Sequence, residues 1–167
     1  MTSLGQFLKS VRIFENLTEE ELSHLVPLFE VRNARNKERV ITEGEFSDLF
    51  YIIRSGHLNV TKGLKDFFIT ILGPKDYFGE ASLFHDVRRT ASVTANEDAQ
   101  LLILPREQFQ QFLLTYPMAA NRILFQMLKE VFLRLEETSN ELLLEHGAHG
   151  VHGSHSATHA AIHKLLR

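Results

Sequence analysis

Six short runs rich in Val, Ile, Phe and Tyr follow one another in the segment 31–105, and they constrain the fold more than any other feature. Gly, Asp, Asn and Pro separate the runs, and no long helical pattern intervenes. The runs cover residues 39–41, 49–54, 58–61, 67–72, 90–95 and 100–104. Several short strands at this spacing predict an antiparallel β-barrel or jelly roll. Ser55 and Gly56 separate two runs and predict a tight hairpin turn, because glycine adopts positive φ without steric cost.

A helix is expected before the β segment. Thr18 and Glu21 have the spacing of a capping box, in which each side chain accepts a hydrogen bond from the other residue's backbone N–H. The helix should cover residues 19–26, because Pro27 discourages its continuation. The chain is therefore assigned to the α+β class, an antiparallel jelly-roll barrel flanked by N-terminal and C-terminal helices.

After Pro105 the apolar residues recur with a helical period, which predicts a short helix over 107–113 and a long one over 117–145. The long helix carries an apolar seam at heptad spacing, formed by Leu124, Leu128, Val131, Leu135, Thr138 and Leu142. In one interpretation this seam packs on the chain's own barrel. In the favoured interpretation a second stripe, Phe125 and Phe132, serves the barrel while the seam forms a coiled coil in a parallel homodimer.

The predicted organisation has three parts: a helix and barrel domain over 1–116, the long helix over 117–145, and a tail over 146–167. The tail repeats histidine at intervals of three or four, at His146, His149, His152, His155, His159 and His163. Imidazoles at this spacing on a helix can bind zinc, nickel or copper. Interspersed glycines favour instead a disordered or weakly structured tail. A metal site and a pH-responsive contact are the alternatives, and no metal site is assigned.

Composition narrows the function classes. With 167 residues, 44% of them hydrophobic, the chain can form one domain with a substantial core, and without cysteine it has neither disulfides nor a thiolate zinc site. The net charge of −3 and the lack of a basic helix argue against DNA binding. The residues after position 145 are also too few to form a helix-turn-helix. No signal-peptide pattern or apolar run long enough to span a bilayer is present, so a cytoplasmic protein without membrane contact is expected.

The segment 77–93 carries the residue types that a buried phosphate diester needs. Gly79 permits close approach of the backbone, and Arg89 provides a planar, permanently charged set of donors for phosphate oxygens. Glu80 can accept from a ribose hydroxyl and hold Arg89 in place. Small residues leave room and expose N–H groups in a short turn or helix start: Ala81, Ser82 and Ala91.

This segment and three others, 7–14, 41–45 and 51–60, occur in an order that resembles the cyclic-nucleotide-binding domain family. That family includes bacterial catabolite activator proteins, regulatory subunits of cyclic-nucleotide-dependent kinases, and cyclic-nucleotide-gated channels. The resemblance covers roughly residues 7–143. It implies a receptor for cAMP or cGMP with no other cofactor, and by analogy cAMP is favoured. Lys75 and Glu45 depart from the family's usual glycine and aspartate, which puts local loop shape in doubt.

The resemblance also implies roles for individual residues. Glu80 is similar to the family's ribose-binding acid, and Arg89, ten residues after Gly79, is similar to its phosphate-binding arginine. Ala81 and Ser82 match the start of the cassette helix. Further ligand contacts are implied for Thr90, Ala91 and Ser92 around the phosphate and base, for Val60 and Ile69 beside the base or sugar, and for Arg134 and Leu135 over the base. Surface charge and a dimer seam are the other interpretation of that last pair.

An enzyme is not expected, because the sequence shows no set of nucleophile, general base and orienting group arranged to form a catalytic site. We therefore expect a cyclic-nucleotide receptor that couples ligand binding to movement of the long helix, and so to contacts with a dimer mate or with an unknown downstream protein. The competing hypothesis is a non-binding scaffold or dimerisation protein whose histidine tail contacts a metal or a partner.

Overall fold

The structure, a computed structural model, describes residues 3–148. Its helices are α1 (Ser3–Lys9), α2 (Glu19–Leu25), α3 (Arg106–Thr115) and α4 (Pro117–Ala148). Its strands are β1 (Glu30–Ala34), β2 (Arg39–Ile41), β3 (Leu49–Ser55), β4 (Leu58–Lys62), β5 (Phe67–Leu72), β6 (Tyr77–Phe78), β7 (Ser92–Ala95) and β8 (Ala99–Pro105). Single turns of 3₁₀ helix cover Arg12–Phe14, Val26–Leu28 and Glu80–Leu83. The mixed helical and antiparallel class predicted from the sequence is confirmed.

The strands form two separate four-stranded antiparallel sheets, in the orders β1-β8-β3-β6 and β2-β7-β4-β5. The expected closed barrel is therefore wrong in detail, since no ladder joins the two sheets within residues 3–148. The six predicted strands are present with ends shifted by up to two residues. β1 and β6 were not predicted, because the first is largely polar and the second has only two residues.

The predicted hairpin at Ser55 and Gly56 is also wrong. β3 lies in one sheet and β4 in the other, so the turn carries the chain between sheets. Gly56 has φ of +84°, and a Cβ on it would lie 2.7 Å from the Cβ of Ala99. The glycine is required by the turn, but its presence does not reveal the direction that the chain takes next. The hairpin of this region joins β4 to β5 instead.

Two apolar clusters stabilise the fold. One lies between the helices and the first sheet and includes Phe14, Phe50, Leu102 and Phe109, all buried. The other is formed by the strands themselves and includes Ile53, Leu58, Val93 and Leu101. The predicted capping box is confirmed, because Glu21 N–H donates to Thr18 Oγ1 at 3.2 Å and Thr18 N–H donates to Glu21 Oε2 at 2.8 Å.

The chain divides into two compact units, residues 1–127 and residues 128–167. The first turns of α4 belong to the first unit, where Arg122 pairs with Glu21 and Gln126 donates to Glu15. In the second unit α4 continues through Ala148. The predicted division at residues 116 and 145 and the parallel coiled coil stay predictions. The histidine tail from residue 149 onwards lies outside the described residues.

No helix within the described part of the chain is both long and apolar enough to cross a membrane. A cytoplasmic location stays a prediction.

Candidate functional site

Most of the residues predicted to bind phosphate lie in the loop between β6 and β7, which we call the cassette loop (residues 79–91). It begins at Gly79, whose φ of 79° places it in the left-handed region. The 3₁₀ turn Glu80–Leu83 follows, so the predicted helix start is a single turn. An isolated antiparallel bridge between Phe46 and Arg88 then joins the loop to the segment between β2 and β3.

Arg89 is the buried cation of this loop, with only 7% of the residue exposed. Its Nη2 donates to the carbonyl oxygen of Leu49 at 2.6 Å and to Ser47 Oγ at 2.9 Å. Its Nη1 lies 3.5 Å from Ser82 Oγ. Its Nε–H is buried and has no acceptor among the described residues. The guanidinium is thus held at one end by the protein and retains an unsatisfied donor.

Burial lowers the pKa of Arg89, because loss of water disfavours its charged form. The charges of Tyr51, Asp48 and Glu80 act on this pKa in the opposite direction. The role of Glu80 in holding Arg89 stays a prediction. The Arg89 guanidinium also lies 5.9 Å from the centroid of the Tyr51 ring. A bound anion would offset part of the desolvation cost that the buried cation carries.

The backbone of Arg89 is fixed as firmly as its side chain. Its N–H donates to the Glu45 carbonyl at 2.9 Å, and its carbonyl accepts from Gly44 N–H at 2.8 Å. Neighbouring Arg88 is exposed, donates to the Gly44 carbonyl at 2.8 Å and lies 4.2 Å from the centroid of the Phe46 ring. The two arginines therefore differ sharply in environment, one buried and one exposed.

Ser82 is fully buried, and its hydroxyl oxygen lies 2.6 Å from the Gly79 carbonyl and 3.0 Å from that of Leu49. Its backbone N–H donates to the Gly79 carbonyl at 3.1 Å. Both groups therefore close the turn, whereas the sequence led us to expect exposed N–H groups here. Ala81, next to it, is exposed.

The other predicted cassette residues lie at the end of the loop and at the start of β7. Thr90 is exposed and Ala91 half-buried, and both precede β7, which begins at Ser92 rather than at residue 90. Ser92 is buried, and its Oγ accepts from the Glu43 N–H at 3.0 Å. Its hydroxyl therefore already has a structural contact in addition to any ligand role.

The predicted apolar contacts lie on neighbouring strands. Val60 pairs with buried Val93 across the ladder of β4 and β7, and it is itself half-buried. On the other side of β4 the register shifts, so Ile69 has no Cα partner in the described ladder with β4. Ile69 is 51% exposed on the edge strand β5. The structure places both residues in the same sheet, and their contact with a base or sugar stays a prediction.

Arg134 and Leu135 lie on α4 in the second unit, and their role over the base stays a prediction. No group of three or more His, Asp or Glu side chains suited to a metal ion occurs in the part of the chain that the structure describes.

Sequence reasoning missed the residues that hold Arg89 from the segment between β2 and β3. Ser47 and Leu49 accept its hydrogen bonds, and Asp48 acts on its pKa. The polar turn at residues 44–48 was the available signal. Its contact with Arg89 could not be predicted from local sequence, because about 40 residues separate the two segments.

Known proteins are similar to this chain over the segment that contains the cassette loop. The sequence profile of the family described as "Cyclic nucleotide-binding domain" matches residues 31–116. The chain is 36% identical over 104 residues to a cGMP-dependent protein kinase of Eimeria tenella, covering 62% of this chain and 10% of the kinase. It is also 36% identical over 107 residues to a cAMP-dependent protein kinase regulatory subunit of Yarrowia lipolytica, covering 64% of this chain and 28% of the subunit. The chain therefore spans less than a third of either relative.

A solved structure, the regulatory domain of Toxoplasma gondii PKA in complex with cAMP, is similar with a TM-score of 0.60 and 28% identity. The similarity covers 65% of this chain and 42% of that one.

Proposed function

The chain belongs to the cyclic nucleotide-binding domain family, and from that premise we propose that it is a receptor for a cyclic nucleotide, with cAMP favoured over cGMP. The observation that carries the proposal is Arg89. Its buried guanidinium is held by Ser47 and Leu49 while its Nε–H has no acceptor within residues 3–148. A phosphate oxygen is the acceptor that this donor and charge suit best.

The ligand class follows from the charge of the site. A cyclic phosphate diester carries one negative charge, which Arg89, the buried cation of the cassette loop, can neutralise. Glu80, half-buried at the start of the 3₁₀ turn, would accept from the ribose hydroxyl. Val60 and Ile69 would offer apolar contacts to the sugar or base, and Thr90, Ala91 and Ser92 would line the phosphate and base. The choice of cAMP rests on analogy alone, because relatives of both kinds, named for cAMP and for cGMP, are equally identical to the chain.

The proposed output is a change in the position of α4. Arg134 and Leu135 would cover the base, so ligand would favour one of two positions of this helix, provided that the two states differ in affinity. Leu128 and Val131, 53% and 54% exposed, belong to the apolar seam through which a homodimer would form. The movement would then alter contacts with the dimer mate or with a downstream protein.

This assignment contains no catalytic step, because the domain family is a regulatory and binding module. The competing scaffold hypothesis finds no support, since the cassette loop keeps both Glu80 and the buried Arg89. No role is proposed for the histidine tail.

Equilibrium titration of cAMP, cGMP and 5′-AMP tests the proposal. The protein is first unfolded and refolded to remove any carried-over nucleotide, and its fold is checked by circular dichroism. One or both cyclic nucleotides should bind saturably, and 5′-AMP about 100-fold more weakly, because its second phosphate charge would be buried without a partner. Equal binding of 5′-AMP would indicate a general nucleotide site, and binding of none would remove the receptor assignment.

A further inference from the structure

The turn between β4 and β5 places a leucine where it is completely exposed to water. The Asp66 N–H closes this turn by donating to the Gly63 carbonyl at 3.0 Å. Leu64 within the turn is fully exposed, and the two residues that begin β5, Phe67 and Phe68, are 67% and 61% exposed. Turns usually carry Gly, Asn, Asp, Pro or Ser at such positions. An apolar side chain here contributes nothing to the apolar clusters that stabilise the fold.

Hydrogen bonds from β2, from β4 and from the segment after β2 hold this turn in place. The Gly63 N–H donates to Glu43 Oε2 at 2.6 Å. The Asp66 carboxylate accepts from Thr61 Oγ1 at 3.0 Å and from Arg39 Nη2 at 2.9 Å. The turn is therefore fixed by its polar groups while its apolar side chain stays in water.

The same turn presents positive charge. Lys62 and Lys65 lie on either side of Leu64 in the sequence, and both are exposed. The two acids nearby, Asp66 and Glu43, already accept the hydrogen bonds just described. Apolar side chains bordered by lysines suit the surface of an anionic bilayer, where the apolar groups enter the boundary between headgroups and acyl chains and the lysines stay with the phosphates.

We propose that the hairpin tip, residues 62–68, is a docking site for an anionic membrane surface. This interaction goes beyond the receptor function and does not depend on it. The expectation of no membrane contact rested on the lack of a bilayer-spanning run, which a surface contact does not need. The nucleotide contacts predicted on this hairpin, Val60 and Ile69, lie outside the tip.

A lipid surface fits the hairpin tip better than a second protein does. Leu64, Phe67 and Phe68 together expose less surface than the roughly 800 Å² per partner that a stable protein interface buries. A lipid layer surrounds an inserted turn on all sides, so even a small tip can bury all its apolar surface. The contact should be reversible and weakened by salt, because part of it is the attraction between lysines and anionic headgroups.

A tryptophan reporter tests where the protein touches the membrane. The chain has no tryptophan of its own, so one introduced indole reports its own surroundings. Leu64→Trp is compared with Leu114→Trp, which replaces an exposed leucine in the last turn of α3. Vesicles of phosphatidylcholine with about one third phosphatidylglycerol should shift the fluorescence of Leu64→Trp to the blue and leave that of Leu114→Trp unchanged. Vesicles of phosphatidylcholine alone should shift neither, and about 0.5 M salt should reverse the shift.

Sedimentation with the same anionic vesicles measures affinity without an added tryptophan. Leu64→Gln should weaken binding about tenfold and Lys65→Gln about fivefold, because each removes one part of the contact. Leu114→Gln and Lys129→Gln lose the same groups at exposed positions outside the hairpin tip and should bind as the unmodified protein does. All four side chains are exposed, so the fold should be preserved.

Three results would overturn the inference. The first is an unmodified protein that does not sediment with anionic vesicles. The second is equal weakening by Leu64→Gln and Leu114→Gln. The third is a blue shift of Leu64→Trp that grows with protein concentration in the absence of vesicles, because a second copy of the chain would then cover the tip. These measurements contain no nucleotide, so their failure would leave the receptor assignment untouched.

Discussion

Gly79 and Arg89 are in direct contact, with the guanidinium lying against the glycine backbone. A Cβ placed on Gly79 would lie 2.4 Å from Arg89 Nη1 and 3.0 Å from the Leu49 carbonyl oxygen. The φ of Gly79, +79°, also belongs to the left-handed region that side chains other than glycine seldom adopt. Two independent constraints therefore require glycine here, and the closest of the steric contacts is made by Arg89 in its buried position.

Gly79→Ala tests this relationship. The methyl group should displace Arg89 from Ser47 and Leu49, so the affinity for cAMP should fall at least about tenfold, with a loss of unfolding free energy of about 1 to 3 kcal/mol from backbone strain. Nucleotide titration and urea unfolding of the same sample give the two values. An affinity equal to that of the unmodified protein would show that the contact is not needed for binding.

Two other glycines form a matched pair that separates strain from steric overlap. Gly44 and Gly56 both have φ of +84°, but a Cβ on Gly44 would meet nothing within 4 Å, while one on Gly56 would lie 2.8 Å from the Asp98 carbonyl oxygen. Gly44→Ala should cost about 1 kcal/mol of unfolding free energy and Gly56→Ala at least about 2 kcal/mol more. Urea denaturation measures both, and equal losses would contradict the close approach of Gly56 to Ala99 and Asp98.

The capping box and the cassette loop could be predicted because each depends on residues close in sequence. Thr18 and Glu21 need only one helical turn, and the pattern from Gly79 to Arg89 is contained in a single loop. The resemblance to a known family then supplied roles that spacing alone does not determine, such as the contact of Arg134 and Leu135 with the base.

The features that sequence reasoning missed depend on contacts between distant segments. The direction of the turn at Gly56 is set by its approach to Ala99, and the role of Ser47 is set by Arg89, 42 residues away. The bulge that leaves Ile69 unpaired belongs to the register between β4 and β5. None of these follows from local pattern, because propensity describes a segment and not its neighbour in space.

Glu80→Gln tests the ribose contact. The amide keeps an acceptor but loses the charge, so cAMP binding should weaken about fivefold, which is less than for loss of Arg89. With 2′-deoxy-cAMP, the affinities of the unmodified protein and the variant should be nearly equal, because the hydroxyl that Glu80 binds is absent. If the variant weakens both ligands equally, Glu80 acts elsewhere than on the ribose.

Stability should depend on pH through Glu38. Its carboxylate accepts from the Arg35 backbone N–H at 2.9 Å and from Arg32 Nη2 at 2.8 Å, and these bonds hold its pKa below the ordinary 4.5. As the pH falls below 4.5, the Glu38 carboxylate is protonated in the unfolded chain at a higher pH than in the folded protein. The contribution of Glu38 to the free energy of unfolding is therefore present at neutral pH and lost in acid. The stability difference between the unmodified protein and Glu38→Gln should shrink between about pH 6 and about pH 3, measured by urea denaturation at each pH. A constant difference would contradict the assignment.

The most direct test of the receptor assignment is calorimetric titration of cAMP and cGMP into the unmodified protein, Arg89→Ala and Arg88→Ala. The two variants lose the same charge at adjacent positions of the cassette loop, one buried and one exposed. We expect saturable binding by the unmodified protein, at least about 100-fold weaker binding by folded Arg89→Ala, and nearly unchanged binding by Arg88→Ala. Binding that survives in Arg89→Ala, or that is lost equally in both variants, would contradict the central role of the buried arginine.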